Sequence, residues 1–501
     1  MSIFDKCKIE DELIDIVNTD KGSIKKRIAR ICERYYEADH DIKQYRIFYF
    51  NSEGELVEDT HRSNVKISHA FYTENVDTEV DHMLSKFSIT SKISELDKEL
   101  KKYFDFNFVK ELHDMLEGTV KIGWSYMYSQ LGSDFRTRFK NADGIRTIEV
   151  REKNTDEIIY FIYYYFYRIK QDNTVVTRIE VHDKEQTFYY ILDNNNLRED
   201  DKVNINPRPH KVWNELVNGE IKTYGEGFGY FPFFRLDNNQ KQISGLKPIK
   251  ALIDDYDLMS CGLSNNLQDV QEAIYVVKGF QGSDLSELQT NLRTKKIIGV
   301  PSGENNGLDI KTIDIPYEAR KTKLELDEKN IYRFGMSFNA AQSGDGNITN
   351  IIIKSRYTLL ELKCNKLAIR LRAFLEDLIK IVLNEINQNN GTDYSIEDVE
   401  ICLDREIPTN ELDNASIEKT KAETKQLEIN ILLSLTSQLP QEKLIQEICN
   451  LLDIDYLEIE EQVQEIIDEN KIDLNKASEK LMNNNDNTEA QITDGTTPIV
   501  E

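Results

Sequence analysis

The sequence lacks the motifs that would indicate an enzyme, a metal site or a disulfide-stabilised fold. Its six cysteines stand singly, without C-x-x-C spacing, so neither a zinc site nor disulfides are predicted, and a reducing compartment fits best. There is no G-x-x-x-x-G-K-[ST] loop, no histidine pair at metal-ligand spacing, and no serine or cysteine with a base nearby in sequence. An ATPase or a nuclease is therefore disfavoured, and we predict no catalytic residues, no metal and no cofactor.

Positive charge is scarce and long apolar runs are missing. The chain carries 63 Lys and Arg against 89 Asp and Glu, a formal net charge of −26. Proteins that hold nucleic acid use clustered basic residues that release counterions, so any contact with DNA is expected to be brief or repulsive. No window approaches the length of a membrane span, and the first residues, MSIFDKCKIEDEL, lack a signal peptide's basic start and apolar core. We expect a soluble intracellular protein with no membrane partner.

What is present is the composition of a folded chain, with 501 residues and 39% hydrophobic residues, enough for about three domains. Apolar residues at helical spacing predict helices from Glu10 to about His40 and from Glu79 to Leu131, with extended structure from Tyr45 to Asn64. A change to β-rich runs then predicts an antiparallel meander. Its strands are expected at 145–150, 157–169, 175–182 and 187–192. The predicted fold class is α+β, mainly helical.

The aromatic run Tyr160–Tyr167 admits two interpretations. A base-stacking platform needs basic neighbours for the nucleic-acid backbone, and here only Arg168 and Lys170 follow the run. A strand that is apolar on both faces and buried in a sheet is the favoured interpretation.

Two further segments resemble binding sites only superficially. Residues 207–237 predict a turn-rich connector, whose glycines lack G-x-G-x-x-G spacing and precede a strand, so a nucleotide site is disfavoured. Asp254, Asp255 and Asp257 admit a metal or acid–base site. On a helix, however, they spread over more than half the circumference with no second cluster to complete the coordination. A solvated first turn of the helix is favoured.

Two helices are predicted at 248–272 and 317–338, on either side of a small β module. The module is expected to contain short strands at 273–278, 295–300 and 308–313, with a small helix at 281–292. A loop bearing Gly344 and Gly346 then leads into a long helix.

The long helix is predicted over 348–388, a stretch without proline that would reach roughly 58 Å at 1.5 Å per residue. Apolar residues at spacings of three and four predict one buried face. This seam comprises Tyr357, Leu360, Cys364, Leu367, Leu371, Phe374, Leu378 and Ile381. The polar face begins basic, with Arg356, Lys363, Lys366 and Arg370, which indicates partners in the same chain or in a neighbouring copy. The alternative is a core helix with a solvated charged face.

These elements and their order resemble the portal proteins of tailed bacteriophages, in particular the family of long-tailed phages of Gram-positive bacteria. The resemblance rests on three stretches of sequence and extends to about Asn410. They are GYFPFFRLDNNQKQISGLKPIKALIDDYDLMSCGLSNNLQD, LRTKKIIGVPSGENNGLDIKTIDIP and YEARKTKLELDEKNIYRFGMSF.

The resemblance implies a portal architecture. Residues 1–246 would form the wing, 247–272 and 317–338 the two stem helices, 273–316 the clip and 339–350 the tunnel loop. The long helix and its return to the wing would occupy 351–410, and helices within 411–470 would form the crown. Residues 471–501, rich in Asn, Asp and Thr, are predicted to be a disordered tail.

The resemblance also implies sites and partners. The tunnel loop would face DNA through Ser343, Gly344, Asp345, Gly346 and Asn347. The clip would contact the motor or adaptor through Gln281, Asp284, Glu287, Lys295 and Lys296, and the basic stripe Arg356, Lys363, Lys366 and Arg370 would pair between subunits.

The implied assembly is a homo-oligomeric ring, usually a dodecamer, at one capsid vertex of the virion, formed in the host cytoplasm. Its implied partners are the terminase large subunit, a head-completion adaptor, the major capsid and scaffolding proteins, and double-stranded DNA that passes without tight binding. A non-enzymatic helical scaffold or interaction protein of another assembly is the alternative.

Overall fold

The computed structural model describes residues 6–51, 53–60, 62–168, 174–193, 196–218, 220–269, 274–278, 307–311, 316–339, 350–407, 411–435 and 440–451. The chain divides into two compact units, one of residues 1–346 with 354–407 and the other of residues 347–353 with 408–501. The predicted contact residues of the tunnel loop, Ser343–Asn347, and of the clip, Gln281, Asp284, Glu287, Lys295 and Lys296, lie outside the described residues, as do the predicted strand at 295–300, the predicted helix at 281–292 and the tail.

The first unit begins with helices, as predicted. They are α1 (Lys6–Gly22), α2 (Ile24–Tyr36), α3 (Phe71–Leu84), α4 (Ser94–Tyr103) and α5 (Phe106–Ile122). Side chains cap two of them, since the Ser23 hydroxyl accepts a hydrogen bond from the Lys26 amide and the Asp105 carboxylate accepts one from the Phe108 amide. The extended segment between α2 and α3 contains a hairpin of β1 (Phe48–Phe50) and β2 (Leu56–Glu58), which confirms the prediction for 45–64.

The prediction of continuous helical structure from Glu79 to Leu131 is wrong in two places. Strand β3 (Lys86–Ser91) pairs with β17 (Val399–Asp404), more than 300 residues away in sequence. Strand β4 (Trp124–Leu131) lies between β5 (Thr137–Ala142) and β14 (Phe233–Asp237). The backbone leaves α5 through Gly123, whose φ of 107° ends the helix in the left-handed region. Apolar periodicity cannot reveal these strands because their partners are remote in sequence.

The predicted antiparallel meander is confirmed, with strand order β10-β9-β8-β7-β6. Its strands are β6 (Thr147–Arg151), β7 (Ile158–Arg168), β8 (Val175–His182), β9 (Gln186–Asp193) and β10 (Asn196–Glu199). In β7, Tyr160, Phe161 and Ile162 are buried in succession, as predicted for a strand covered on both faces. Phe166, by contrast, is 69% exposed, so the end of β7 has one solvent-facing side.

The segment predicted as a turn-rich connector, 207–237, contains four strands. The short β11 (Arg208–Pro209) pairs with β9, while β12 (Lys211–Val217) and β13 (Glu220–Glu226) form a hairpin of their own. Strand β14 then completes the sheet of β4 and β5. Alternation is weak in β12 and β13 because both strands are largely exposed, which explains why their sequence resembles a loop.

Three more helices belong wholly or mainly to the first unit, and their positions agree with the sequence prediction. They are α6 (Lys250–Asp269), α7 (Tyr317–Gly335) and α8 (Asn350–Asn390). Between α6 and α7, β15 (Ile274–Lys278) and β16 (Gly307–Lys311) pair antiparallel, as the predicted β module requires.

The 41 residues of α8 place its apolar seam in the main core. Leu360, Cys364, Leu371 and Leu378 have no solvent exposure, whereas the ends of the predicted seam, Tyr357 and Ile381, are only half-buried. The face that the spacing identified is therefore the buried face of the helix.

The second unit contains two helices in its described part, α9 (Glu411–Ser434) and α10 (Gln441–Leu451), within the segment predicted to be helical from residue 411. Asn350 donates a hydrogen bond from its side-chain amide to the Asn414 side chain at 2.8 Å. No helix among the described residues of the chain has the length and apolar content needed to span a membrane.

Candidate functional site

Of the predicted site residues, the structure describes the four of the basic stripe, all on α8, which contacts the end of α7. A charged bridge joins α6 and α7, the pair of predicted stem helices. Lys323 on α7 donates from Nζ to Asp255 Oδ2 on α6 at 2.6 Å and also contacts Asp327, one turn further along its own helix. Asp327 is almost fully buried, and the hydrogen bonds to Asp255 and Asp327 raise the pKa of Lys323. Lys323 thus remains charged and links the two helices.

An extended segment, residues 63–69, follows one face of α6, and we call it the strap. Four of its backbone amides, two residues apart, donate to α6 side chains four residues apart. The pairs are Ser63 with Asp269 at 3.2 Å, Val65 with Asn265 at 2.7 Å, Ile67 with Cys261 at 3.1 Å, and His69 with Asp257 at 3.1 Å. The spacing of the amides along the strap matches the spacing of the acceptors along α6, because two extended residues advance about 6.6 Å and four helical residues about 6.0 Å. The strap therefore holds α6 along most of its length.

Asp257 is the most buried member of this series. Its side chain has no solvent exposure, and its oxygens lie 2.6 Å from His40 Nδ1 and 2.8 Å from His69 Nδ1. Burial opposes ionisation, but the hydrogen bonds from His40 and His69 outweigh it and lower the pKa of the Asp257 carboxyl. His40 Nε2 lies 3.2 Å from the Tyr35 carbonyl, so both ring nitrogens of this buried histidine face an acceptor.

The prediction of a solvated acidic turn is therefore wrong for Asp257 and incomplete for its neighbours. Asp254 accepts hydrogen bonds from the Lys250 ammonium at 2.8 Å and from the Tyr35 hydroxyl. Asp255 binds Lys323, as described above. The three carboxylates point to three different partners because α6 is covered by the strap, the N-terminal helices and α7. Among the described residues, no group of three or more His, Cys, Asp or Glu is placed to hold a metal ion.

The basic stripe of α8 divides into two classes. Lys363 reaches Glu79 Oε2 at 2.7 Å and the Gly335 carbonyl at 3.0 Å, and the Glu79 side chain is 1% exposed. Lys363 thus has a partner in the same chain, and its predicted pairing between subunits stays a prediction. Arg356, Lys366 and Arg370 have no ion-pair partner within the part of the chain that the structure describes.

Lys363, Lys366 and Arg370 also line an open groove of about 1060 Å³, which we call the α8 groove. Its other walls are the loop before α6, from Asn238 to Pro248, and the end of α7, from Phe334 to Met336. The lining includes a fourth cation, Lys247, and none of the described residues that line the groove is Asp or Glu. The α8 groove is therefore a positively charged surface on a chain whose net charge is −26.

Sequence reasoning missed the strap, the buried Asp257 and the α8 groove. The apolar residues of the strap, Val65 and Ile67, alternate over too few positions to mark it, and most of its contacts to α6 are made by backbone amides. A search for polar residues four apart on a predicted helix would have marked Asp257, Cys261, Asn265 and Asp269, but nothing in the sequence indicates which segment binds them.

Comparisons with known proteins agree with one another on the family. A family model described as phage portal protein, SPP1 Gp6-like, matches residues 15–477. The portal protein of Bacillus phage SPP1 is 26% identical over 347 residues, which are 68% of this chain and 67% of that protein. The portal protein of Clostridium phage phiCD119 is 34% identical over 193 residues, which are 38% of this chain and 42% of that protein.

Among solved structures, the chain is similar to subunits in two structures of a particle neck. One is titled the neck of an empty GTA particle, with a TM-score of 0.38 and 12% identity over 77% of this chain and 90% of that chain. The other is the neck of a native GTA particle, with a TM-score of 0.36 and 13% identity over 77% of this chain and 91% of that chain.

Proposed function

Because this chain belongs to the phage portal proteins of the SPP1 Gp6-like family, we propose that it assembles into a ring at one capsid vertex and forms the channel through which DNA is packaged and ejected. The single observation that carries this proposal is the family match over residues 15–477. The location would be the virion, after assembly in the host cytoplasm, and a dodecamer is the ring we expect.

In this proposal α6 and α7 are the stem helices, and β15 and β16 belong to the clip that meets other proteins. The Lys323 bridge supports the role because it ties the two helices together at their facing sides. The strap supports it further, since its four regularly spaced hydrogen bonds resist sliding of α6 along its own axis. We assign 339–350 to the tunnel loop, α8 to the connection into the wing, and α9 and α10 to the crown.

The charge of the chain suits a conduit for DNA. Each phosphate that a protein neutralises adds affinity and slows sliding, so a channel should present few cations to its cargo. The net charge of −26 favours a repulsive wall. The proposed tunnel-loop residues Ser343–Asn347 contain one carboxylate, Asp345, and no Lys or Arg. DNA would touch this loop without being held by it.

The proposed partners are the terminase large subunit and a head-completion adaptor at the clip, through Gln281, Asp284, Glu287, Lys295 and Lys296, together with the major capsid and scaffolding proteins. The role is structural. The sequence has no phosphate-binding loop, and we expect no ATP hydrolysis by the purified protein.

Electron microscopy of the purified full-length chain tests the function. We expect closed rings with a central hole wide enough for duplex DNA, because a subunit that reuses one heterologous interface either closes a ring or forms a filament. Light scattering at several salt concentrations should give a mass of many subunits. A monodisperse monomer under all conditions, or open filaments, would favour the alternative of a helical scaffold protein.

A further inference from the structure

The α8 groove exposes apolar side chains beside unpaired cations. Ile369 is 74% exposed and Phe334 is 52% exposed, although both line the groove. Lys366 and Arg370 lie one helical turn apart, where like charges destabilise a helix. Lys247 adds a third cation without an ion-pair partner among the described residues. A groove of this kind favours a partner that is both apolar and negatively charged.

The hairpin of β1 and β2 combines the two properties that the α8 groove favours in a partner, apolar side chains and negative charge. All of its large apolar side chains are exposed: Phe48 by 51%, Tyr49 by 43%, Phe50 by 72%, Leu56 by 59% and Val57 by 37%. A two-stranded hairpin is marginally stable in water by itself, so apolar residues on both of its faces call for a covering surface.

The charge of this hairpin is predominantly negative. Residues 46–59 contain four carboxylates, on Glu53, Glu55, Glu58 and Asp59, and a single cation, Arg46. Arg46 pairs with Glu58 at 3.1 Å. Glu53 and Glu55 lie at the turn, next to the exposed Phe50 and Leu56.

We propose that the β1–β2 hairpin of one copy docks into the α8 groove of a neighbouring copy of this chain. This inference rests on the proposed ring and names the surfaces that would close it. Phe50 and Leu56 cover Ile369 and Phe334, while Glu53 and Glu55 face Lys366 and Arg370. The contact is heterologous, since the hairpin and the groove are different surfaces of one chain, and repetition of such a contact generates a ring.

The positions of the two surfaces add a geometric consequence. The base of the hairpin is held near the C-terminal end of α6, because Asn64 donates to the Tyr45 carbonyl and the adjacent Val65 donates to Asn265. The groove includes Pro248, just before the N-terminal end of α6. Pro248 and Asn265 are separated by about 26 Å along the helix at 1.5 Å per residue. In a closed ring, docking therefore inclines the α6–α7 pair of each copy relative to the ring axis, which images that resolve helices would reveal.

The second exposed hairpin, β12 and β13, provides a control. Its tip exposes Leu216 by 74% and Ile221 by 72%. Its charges are mixed, since Lys211 and Lys222 accompany Glu215, Glu220 and Glu226. It is comparably apolar at its tip but lacks the acidic turn that the groove selects.

Charge exchange tests the contact in the full-length protein. Lys366→Glu with Arg370→Glu should raise the concentration needed for assembly by about tenfold or more, because the new carboxylates would repel Glu53 and Glu55 across the interface. The matched control, Lys98→Glu with Lys110→Glu, reverses two exposed cations outside the groove and should assemble as wild type does. Adding Glu53→Lys and Glu55→Lys to the groove variant should restore rings. Circular dichroism verifies that every variant is folded.

Site-specific photo-cross-linking identifies the partner surface. A benzophenone amino acid in place of Phe50 should cross-link to residues 363–373 of another copy, whereas the same group in place of Leu216 should not. If the wild type forms rings but the groove variant assembles like its control, or the Phe50 probe labels another region, the inference is overturned and the ring stands. If the wild type forms no rings, the proposed function fails and this inference fails with it.

Discussion

At the scale of single residues, Asp257 is the side chain whose environment departs most from expectation. It is an ionised carboxylate without solvent exposure, held by two histidines and by the His69 amide. Asp257→Asn removes the charge while preserving the size of the side chain. We expect a loss of about 3 kcal/mol in the free energy of unfolding, because the amide has one acceptor oxygen instead of two and leaves buried hydrogen-bond donors without a partner. Chemical denaturation measures the loss.

The lowered pKa of Asp257 also predicts how the stability of the protein depends on pH. A carboxyl whose folded pKa is lowered stabilises the protein above its unfolded pKa, about 3.9, and the contribution is lost as the pH falls through the lower folded value. The acid-induced decline in stability below about pH 4 should therefore be shallower in Asp257→Asn than in wild type. Asp255→Asn, on the same helix turn but 39% exposed, serves as the control and should cost much less. If the two variants lost the same free energy of unfolding, the conclusion that burial makes the contacts of Asp257 more stabilising would be contradicted.

At the scale of elements, the strap and α6 form one unit held by backbone amides. Asn265→Ala removes the acceptor of the Val65 amide, the shortest of the four strap bonds. We expect hydrogen exchange at residues 63–67 to become about fivefold faster, since one hydrogen bond contributes about 1 kcal/mol. Exchange within α2 and α5 should not change.

Gln268→Ala is the matched control for the strap, because Gln268 is an exposed residue of α6 that does not take part in the strap bonds. It should leave exchange at residues 63–67 as in wild type. If residues 63–67 of Asn265→Ala exchange their amide hydrogens as slowly as in wild type, other contacts hold the strap, and the regular spacing of its four hydrogen bonds has no effect on stability.

At the scale of the whole molecule, the proposed ring multiplies the effect of any residue that faces the channel. Asp345→Lys would replace a ring of weak repulsions by a ring of cations able to pair with phosphates. Rings should still assemble, while DNA packaging slows or stalls and duplex binding becomes measurable and sensitive to salt. Packaging assays and DNA titrations at two salt concentrations measure both effects.

Asp345→Asn separates the added cation from the lost carboxylate, and we expect it to package DNA nearly as well as wild type. If Asp345→Lys forms intact rings whose packaging and DNA affinity equal those of wild type, the loop does not face the DNA. A surface position elsewhere would explain that result, since an exposed charge reversal typically changes stability by less than about 0.5 kcal/mol.

The sequence by itself determined those features that depend on neighbours within one element. The seam of α8 follows from spacings of three and four, the meander from β-rich runs separated by turns, and the two helices around residues 248–272 and 317–338 from their apolar stripes. The family, too, followed from ordered motifs along the chain, and the match over residues 15–477 confirms it.

Only the tertiary structure decided the features that join remote segments. Strand β3 exists because β17 supplies its hydrogen bonds, Asp257 is buried because His40 and His69 reach it from the N-terminal region, and Lys363 pairs with the buried Glu79. The physical reason is common to all three. Periodicity reports which face of an element is apolar, whereas hydrogen-bond and ion-pair partners are selected by proximity in space, which only the folded chain provides.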